Sequence, residues 1–241
     1  MKNRITRILF RFRDGDVTLH EVEHLFYGLS MLLHRLINER YEGRKIKFIN
    51  IYFSSKNTYE VFPIPPMHHI HYYSGSNSDV IRYDGEIDYI EFNKRTEIEQ
   101  QYHIWEKACE YLLASSLFIK NNKLFDATQY GYKKGLEMKL TTDYRLVETD
   151  SIVYGEEIKA SVWIHFRKDK MFSILALEKE GNVIWQRQLD ESGKGIGFFL
   201  EIYKKIEIHD NILILKGHRE IEYLPLKIQI IPEMIRGFSC T

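Results

Sequence analysis

The segment His20-Glu21-Val22-Glu23-His24 places two imidazoles four residues apart. On a helix that spacing is about one turn, so both rings can reach one divalent metal while an adjacent carboxylate activates a bound water. In this reading His20 and His24 are metal ligands, Glu21 is the general base and the chemistry is metal-assisted hydrolysis. A second cluster is His68-His69-Ile70-His71-Tyr72-Tyr73. On extended backbone His69 and His71 share a face and can reach a common metal or anion. Tyr72 and Tyr73 beside them offer large contact area at low entropic cost, which suits a protein-binding surface.

The first pattern resembles the H-E-x-x-H motif of zinc hydrolases. Three features stand against that chemistry. Glu23 puts a charge inside the motif, the motif opens a helix near the N-terminus, and Glu21 completes a Thr18-x-x-Glu21 capping box. On a helical wheel His20 and His24 also point away from the apolar stripe of Val22, Leu25, Phe26 and Leu29, toward solvent. No downstream His or Glu has a spacing that singles it out as a third ligand. The His68–His71 tract has no neighbouring cysteine and no defined ligand spacing, so it reads as an ordered aromatic-rich loop. The binding candidates are accordingly His69, His71, Tyr72 and Tyr73.

Other signals are weaker. Ser192-Gly193-Lys194-Gly195-Ile196-Gly197 has the spacing of neither standard phosphate-binding fingerprint and reads as a connection within a sheet. Arg4, Arg7, Arg11 and Arg13, with Arg44, Lys45 and Lys47, form a basic face if the first two strands pair side by side. Cys109 falls in an apolar stripe and acts there as a small hydrophobe.

The elements that position these residues follow from periodicity. Residues 5–13 alternate as a half-buried strand. A helix is expected over 19–40, with Val22, Leu25, Phe26, Leu29, Leu32, Leu33 and Leu36 inward, followed by a strand over 45–53. Residues 63–79 carry prolines, glycine, serines and asparagine and read as loop. A strand over 87–92 precedes a helix over 96–119 with the stripe Ile98, Tyr102, Trp105, Cys109, Leu112, Leu113 and Leu117; a shorter helix covers 124–134. From residue 137 onward short apolar runs at 162–166, 172–177, 183–189, 205–208, 212–215 and 226–231 alternate with turn residues. Residues 198–203 form a short helix or a further strand. The fold class is α+β: residues 1–136 form a mixed part with two long amphipathic helices on a sheet, and 137–241 form an antiparallel β-sheet, either separate or sharing one core.

Composition narrows the function classes. The 241 residues are 44% hydrophobic and 28% charged, with 34 basic and 34 acidic side chains. That supports a sizeable core and argues against disorder. Zero formal charge gives nucleic-acid binding little support. The longest apolar stretch, Leu25 to Leu33, falls short of the roughly 20 residues that span a bilayer, so no membrane association is expected. Two distant cysteines, Cys109 and Cys240, fit a reducing compartment, so the cytoplasm is expected. No catalytic constellation and no cofactor are implied, and Tyr and Phe number 16 and 14. The expected role is therefore non-enzymatic binding of a protein partner, such as an immunity protein that neutralises a toxin by covering it; the alternative is a metal-dependent hydrolase using His20, Glu21 and His24.

Overall fold

Ile8, Phe10 and Phe12 are buried while Leu9, Arg11 and Arg13 between them stay half-exposed, the period-2 signature of a strand with one core face. The computed structural model describes residues 5–76, 78–168 and 170–236; Arg4 and Cys240 lie outside them. The protein is α+β. Within the chain two units divide between Thr142 and Asp143.

The first unit runs β1 (Ile5–Asp14), β2 (Val17–Thr18), α1 (His20–Leu25), α2 (Tyr27–Arg40), β3 (Ile46–Ser54), α3 (Lys56–Val61), β4 (His69–Ser74), β5 (Asp79–Glu86), α4 (Tyr89–Asn93), α5 (Glu97–Phe118) and α6 (Asn122–Glu137). Its sheet has the order β2-β1-β3-β5-β4. β1, β3 and β5 are parallel, whereas β2 and β4 pair antiparallel at the two edges. Parallel neighbours require crossover connections, and α1 with α2 supplies the first. One face of the sheet carries the core. Phe12 stacks on Phe53 at 5.0 Å, Tyr83 stacks on Tyr111 at 4.3 Å, and Leu32, Leu33, Ile37, Trp105 and Leu112 close over them.

The helix expected over 19–40 is two helices that meet at Phe26. Thr18 pairs with Arg13 in β2, so it cannot cap; Leu19 is the N-cap and makes no side-chain cap. A capping box does form at Thr96 and Glu99, where Thr96 is free of any strand. Residues 69–74 form an edge strand rather than loop. The strand expected over 87–92 lies earlier, at Asp79–Glu86, because the Asp88 carboxylate accepts from the backbone N–H groups of Ile90 and Glu91 and starts a helix there. In α5, Ile98 and Leu117 are exposed while Tyr111 turns inward.

The second unit contains β6 (Tyr144–Val153), β7 (Glu156–Phe166), β8 (Lys170–Lys179), β9 (Asn182–Gly193), a 3-10 turn (Gly197–Glu201), β10 (Tyr203–His209), β11 (Ile212–Gly217), β12 (Leu226–Gln229) and α7 (Pro232–Arg236). β6 to β9 form one antiparallel sheet and β10 to β12 another. β6 was not among the expected runs, since exposed and half-buried residues alternate along it without a continuous apolar segment. Tight turns occupy positions of positive φ, as at Glu180-Gly181 and Asp210-Asn211. β10 packs against β6 and β7. Among the described residues no helix is long and apolar enough to cross a membrane.

Candidate functional site

The side chains that alternate with the core of the first sheet line up across its strands in register. One row reads Leu9, Asn50, Arg82, His71; the next reads Arg11, Tyr52, Asp84, His69; a third reads Arg13, Ser54, Glu86. This second face therefore gathers cations, imidazoles and phenols from four strands. The period of β1 places its arginines there, and the same period in β4 and β5 brings His69, His71, Arg82 and Asp84 to meet them.

Asp84 is the centre of the row and is only 2% exposed. Its Oδ1 accepts from Arg82 Nε at 2.9 Å and Nη2 at 2.7 Å. Its Oδ2 lies 3.3 Å from His71 Nε2, within ion-pair range but not aligned as a hydrogen bond, and neither atom has another partner among the described residues. Burial lowers the His71 pKa, the Asp84 charge opposes that shift, and the net direction is down. At neutral pH His71 is thus uncharged and Asp84 is balanced by Arg82. The Arg82 guanidinium lies 4.4 Å from the Tyr52 ring centroid and that of Arg13 lies 5.0 Å from it.

At the end of these strands α3 and the segment after it border an open cavity of about 190 Å³, lined by Arg13, Tyr52, Tyr59, Pro65, Arg82 and Asp84 together with the more exposed Phe62 and Ile64. Tyr59 Oη donates to the Gly85 carbonyl at 2.7 Å, and burial pushes its pKa up to about 12. The phenol stays neutral. Arg13 has no carboxylate partner among the described residues, and Phe62 and Ile64 are 46% and 87% exposed. A guanidinium-rich pocket with an apolar lip can hold an anionic group; its chemistry is recognition through hydrogen-bond donors.

No protein-family model, curated protein or solved structure matches the chain.

His20, Glu21 and His24 are all exposed. It is Glu23 that turns inward: its Oε2 accepts from Arg11 Nη1 at 3.0 Å and lies 3.4 Å from His20 Nδ1. Among the described residues no group of three or more His, Cys, Asp or Glu is arranged to hold a metal ion. His69 and His71 come together, with ring centroids 4.4 Å apart, and Tyr73 stacks with His71 at 6.3 Å. Tyr72 points to the other side of β4, where its hydroxyl donates to Asp79 Oδ2 at 2.9 Å. Arg44 leaves the expected basic face and joins Ser74, Gly75 and Asp79. Tyr52, Tyr59, Arg82 and Asp84 were not singled out from sequence. The alternation in Asp79–Glu86 would have found the last two had that segment been read as a strand.

The second unit holds a larger cavity of about 760 Å³ beside β6 to β8, with Arg145, Lys159, Lys179 and Glu178 in its walls. Its cations are already paired. Glu178 takes Arg145 Nη2 at 2.6 Å, Ser161 Oγ at 2.8 Å and Trp163 Nε1 at 3.1 Å, while Lys159 and Lys179 reach Asp150 and Glu156. That saturation favours the smaller cavity, with its unpaired Arg13, as the place where a ligand is recognised.

Proposed function

We propose that the protein is a non-enzymatic, cytoplasmic protein-binding protein, and that it engages its partner through the cationic sheet face and β4 edge of the first unit. One observation carries this reading. β4 is an edge strand of sequence His-Ile-His-Tyr-Tyr-Ser, lacking the lysines and prolines that ordinarily blunt such an edge. An extended segment of a partner can add to it through main-chain hydrogen bonds, with alternate side chains reading His69, His71 and Tyr73 on one face. Tyr73, 63% exposed, provides contact area on the strand itself, and the exposed Phe62 and Ile64 provide apolar area at the cavity lined by Arg82 and Asp84. Arg7 and Arg13, which have no carboxylate partner among the described residues, lie on the same face and favour an acidic partner. Neutralisation of a toxin by an immunity protein is the specific form of this role to be tested first.

The test is co-purification from a native extract, identification of the bound protein and its titration against the wild type and a Tyr73→Ala/Ile64→Ser variant. The expected result is affinity at least about tenfold weaker in the variant, whose thermal midpoint is unchanged because both side chains are exposed. Recovery of the chain alone, or equal affinity of both forms, contradicts the reading.

A further inference from the structure

We infer that the cavity beside Arg13 and Arg82 receives one carboxylate side chain of the bound protein, an aspartate or glutamate that anchors it to the sheet face. The inference rests on the protein-binding reading above and names the group recognised. Arg82 commits Nε and Nη2 to Asp84 Oδ1, and its Nη1 makes no hydrogen bond among the described residues. The Arg13 guanidinium has neither an ion pair nor a hydrogen bond among them and lies 5.0 Å from the Tyr52 ring centroid. Two guanidiniums thus lie over one phenol ring, line the same cavity and keep donors that no carboxylate takes. Planar donors of this kind match a carboxylate in a two-point contact.

Charge and size select the occupant. Asp84 compensates one of the two guanidiniums, so the cavity keeps a single uncompensated positive charge and suits a monoanion better than a phosphate dianion. At about 190 Å³ it is smaller than the roughly 300 Å³ at which drug-sized ligand pockets begin. It has room for a side-chain head group, about six waters in volume. Its lining by Phe62, Ile64 and Pro65 is apolar, as the methylene stem of an inserted side chain requires.

The experiment titrates N-acetylglutamate methylamide, the matching glutamine compound and inorganic phosphate into the full chain at constant ionic strength, following the arginine Nε–H and tyrosine ring signals by NMR. Saturable shifts at Arg13, Arg82 and Tyr52 with the glutamate probe, absent with the glutamine probe, are expected. Binding should weaken about tenfold in Arg13→Gln and by less in Arg13→Lys, with spectra otherwise unchanged. Equal responses to the glutamate and glutamine probes, saturation by phosphate alone, or undiminished binding by Arg13→Gln would overturn the inference. The probe needs no partner, so the two readings fail separately. A partner that binds Arg13→Gln at full affinity removes the carboxylate anchor and leaves the docking surface. A chain that recognises the glutamate probe but recovers no protein removes the docking role and leaves the pocket.

Discussion

Arg11 Nη1 donates to Glu23 Oε2 across 3.0 Å, which ties the helical turn bearing His20 and His24 to β1 through its second glutamate. The turn is held by an ion pair between a half-exposed guanidinium and a nearly buried carboxylate. Glu23 Oε1 has no partner among the described residues, so Arg11 is what compensates this charge.

Removing the arginine should therefore cost more than a surface pair does. Arg11→Ala is expected to lower the unfolding free energy by about 1–2 kcal/mol, discounted for the solvent that reaches the guanidinium. The double variant Arg11→Ala/Glu23→Gln should recover part of that loss. Urea denaturation of the three proteins measures both effects.

Glu178 gathers Arg145, Ser161 and Trp163 while only 3% exposed. Burial alone would push its pKa up; the hydrogen bonds from these three residues and the Arg145 charge outweigh burial and hold the carboxyl below its usual range. A lowered carboxyl contributes stability that is present above the free glutamate value and lost as pH falls through the folded value. Glu178→Ala removes the acceptor of Ser161 and Trp163 and leaves Arg145 only its pair with Glu148, and is expected to destabilise the second unit by about 2–4 kcal/mol. Loss of the Trp163 near-ultraviolet dichroism at lower denaturant concentration reports it.

His34, His71 and His103 all titrate below the free histidine value, with burial the largest cause in each case. Neutral imidazoles favour the folded state above about pH 6.5, and that contribution is lost as pH falls through the lowered folded values. The melting temperature should drop on acidification from pH 7.5 to about 5.5. His34 Nε2 lies 2.8 Å from the Ile5 carbonyl and requires its proton on that nitrogen. His34→Asn should flatten the slope while lowering stability at neutral pH, as differential scanning calorimetry across that range would register.

Gly135 lies in α6, where alanine ordinarily gains about 1 kcal/mol of helix propensity. A Cβ there would meet Trp105 Cζ2 at 2.1 Å, and Trp105 is wholly buried. Overpacking against a fixed ring outweighs propensity, so Gly135→Ala is expected to destabilise by about 1–3 kcal/mol. A higher denaturation midpoint in the variant would contradict that packing.

Strong periods were legible in the sequence and competing local signals were not. Strand β1, helix α5 and the run of C-terminal strands followed from apolar alternation or an apolar stripe, because burial on one face is what those patterns encode. Strand β5 was displaced by several residues: Ile87 to Phe92 is apolar enough for a strand, yet the Asp88 carboxylate captures the next backbone donors and begins a helix. β4 was hidden by the glycine, serine and proline residues around it. The candidate site was legible only in parts. His69 and His71 share a face as alternation requires, and Arg7, Arg11 and Arg13 do likewise, but the buried Asp84 that organises Arg82 depends on pairings between distant segments, which no local pattern carries.

The most direct test is hydrogen exchange on the chain with and without its co-purified partner. Slowed exchange concentrated in the amides of residues 69–74 and in the segment at Phe62 to Pro65 is the predicted result. Protection confined to the second unit, with β4 exchanging at the same rate in both samples, would contradict the account.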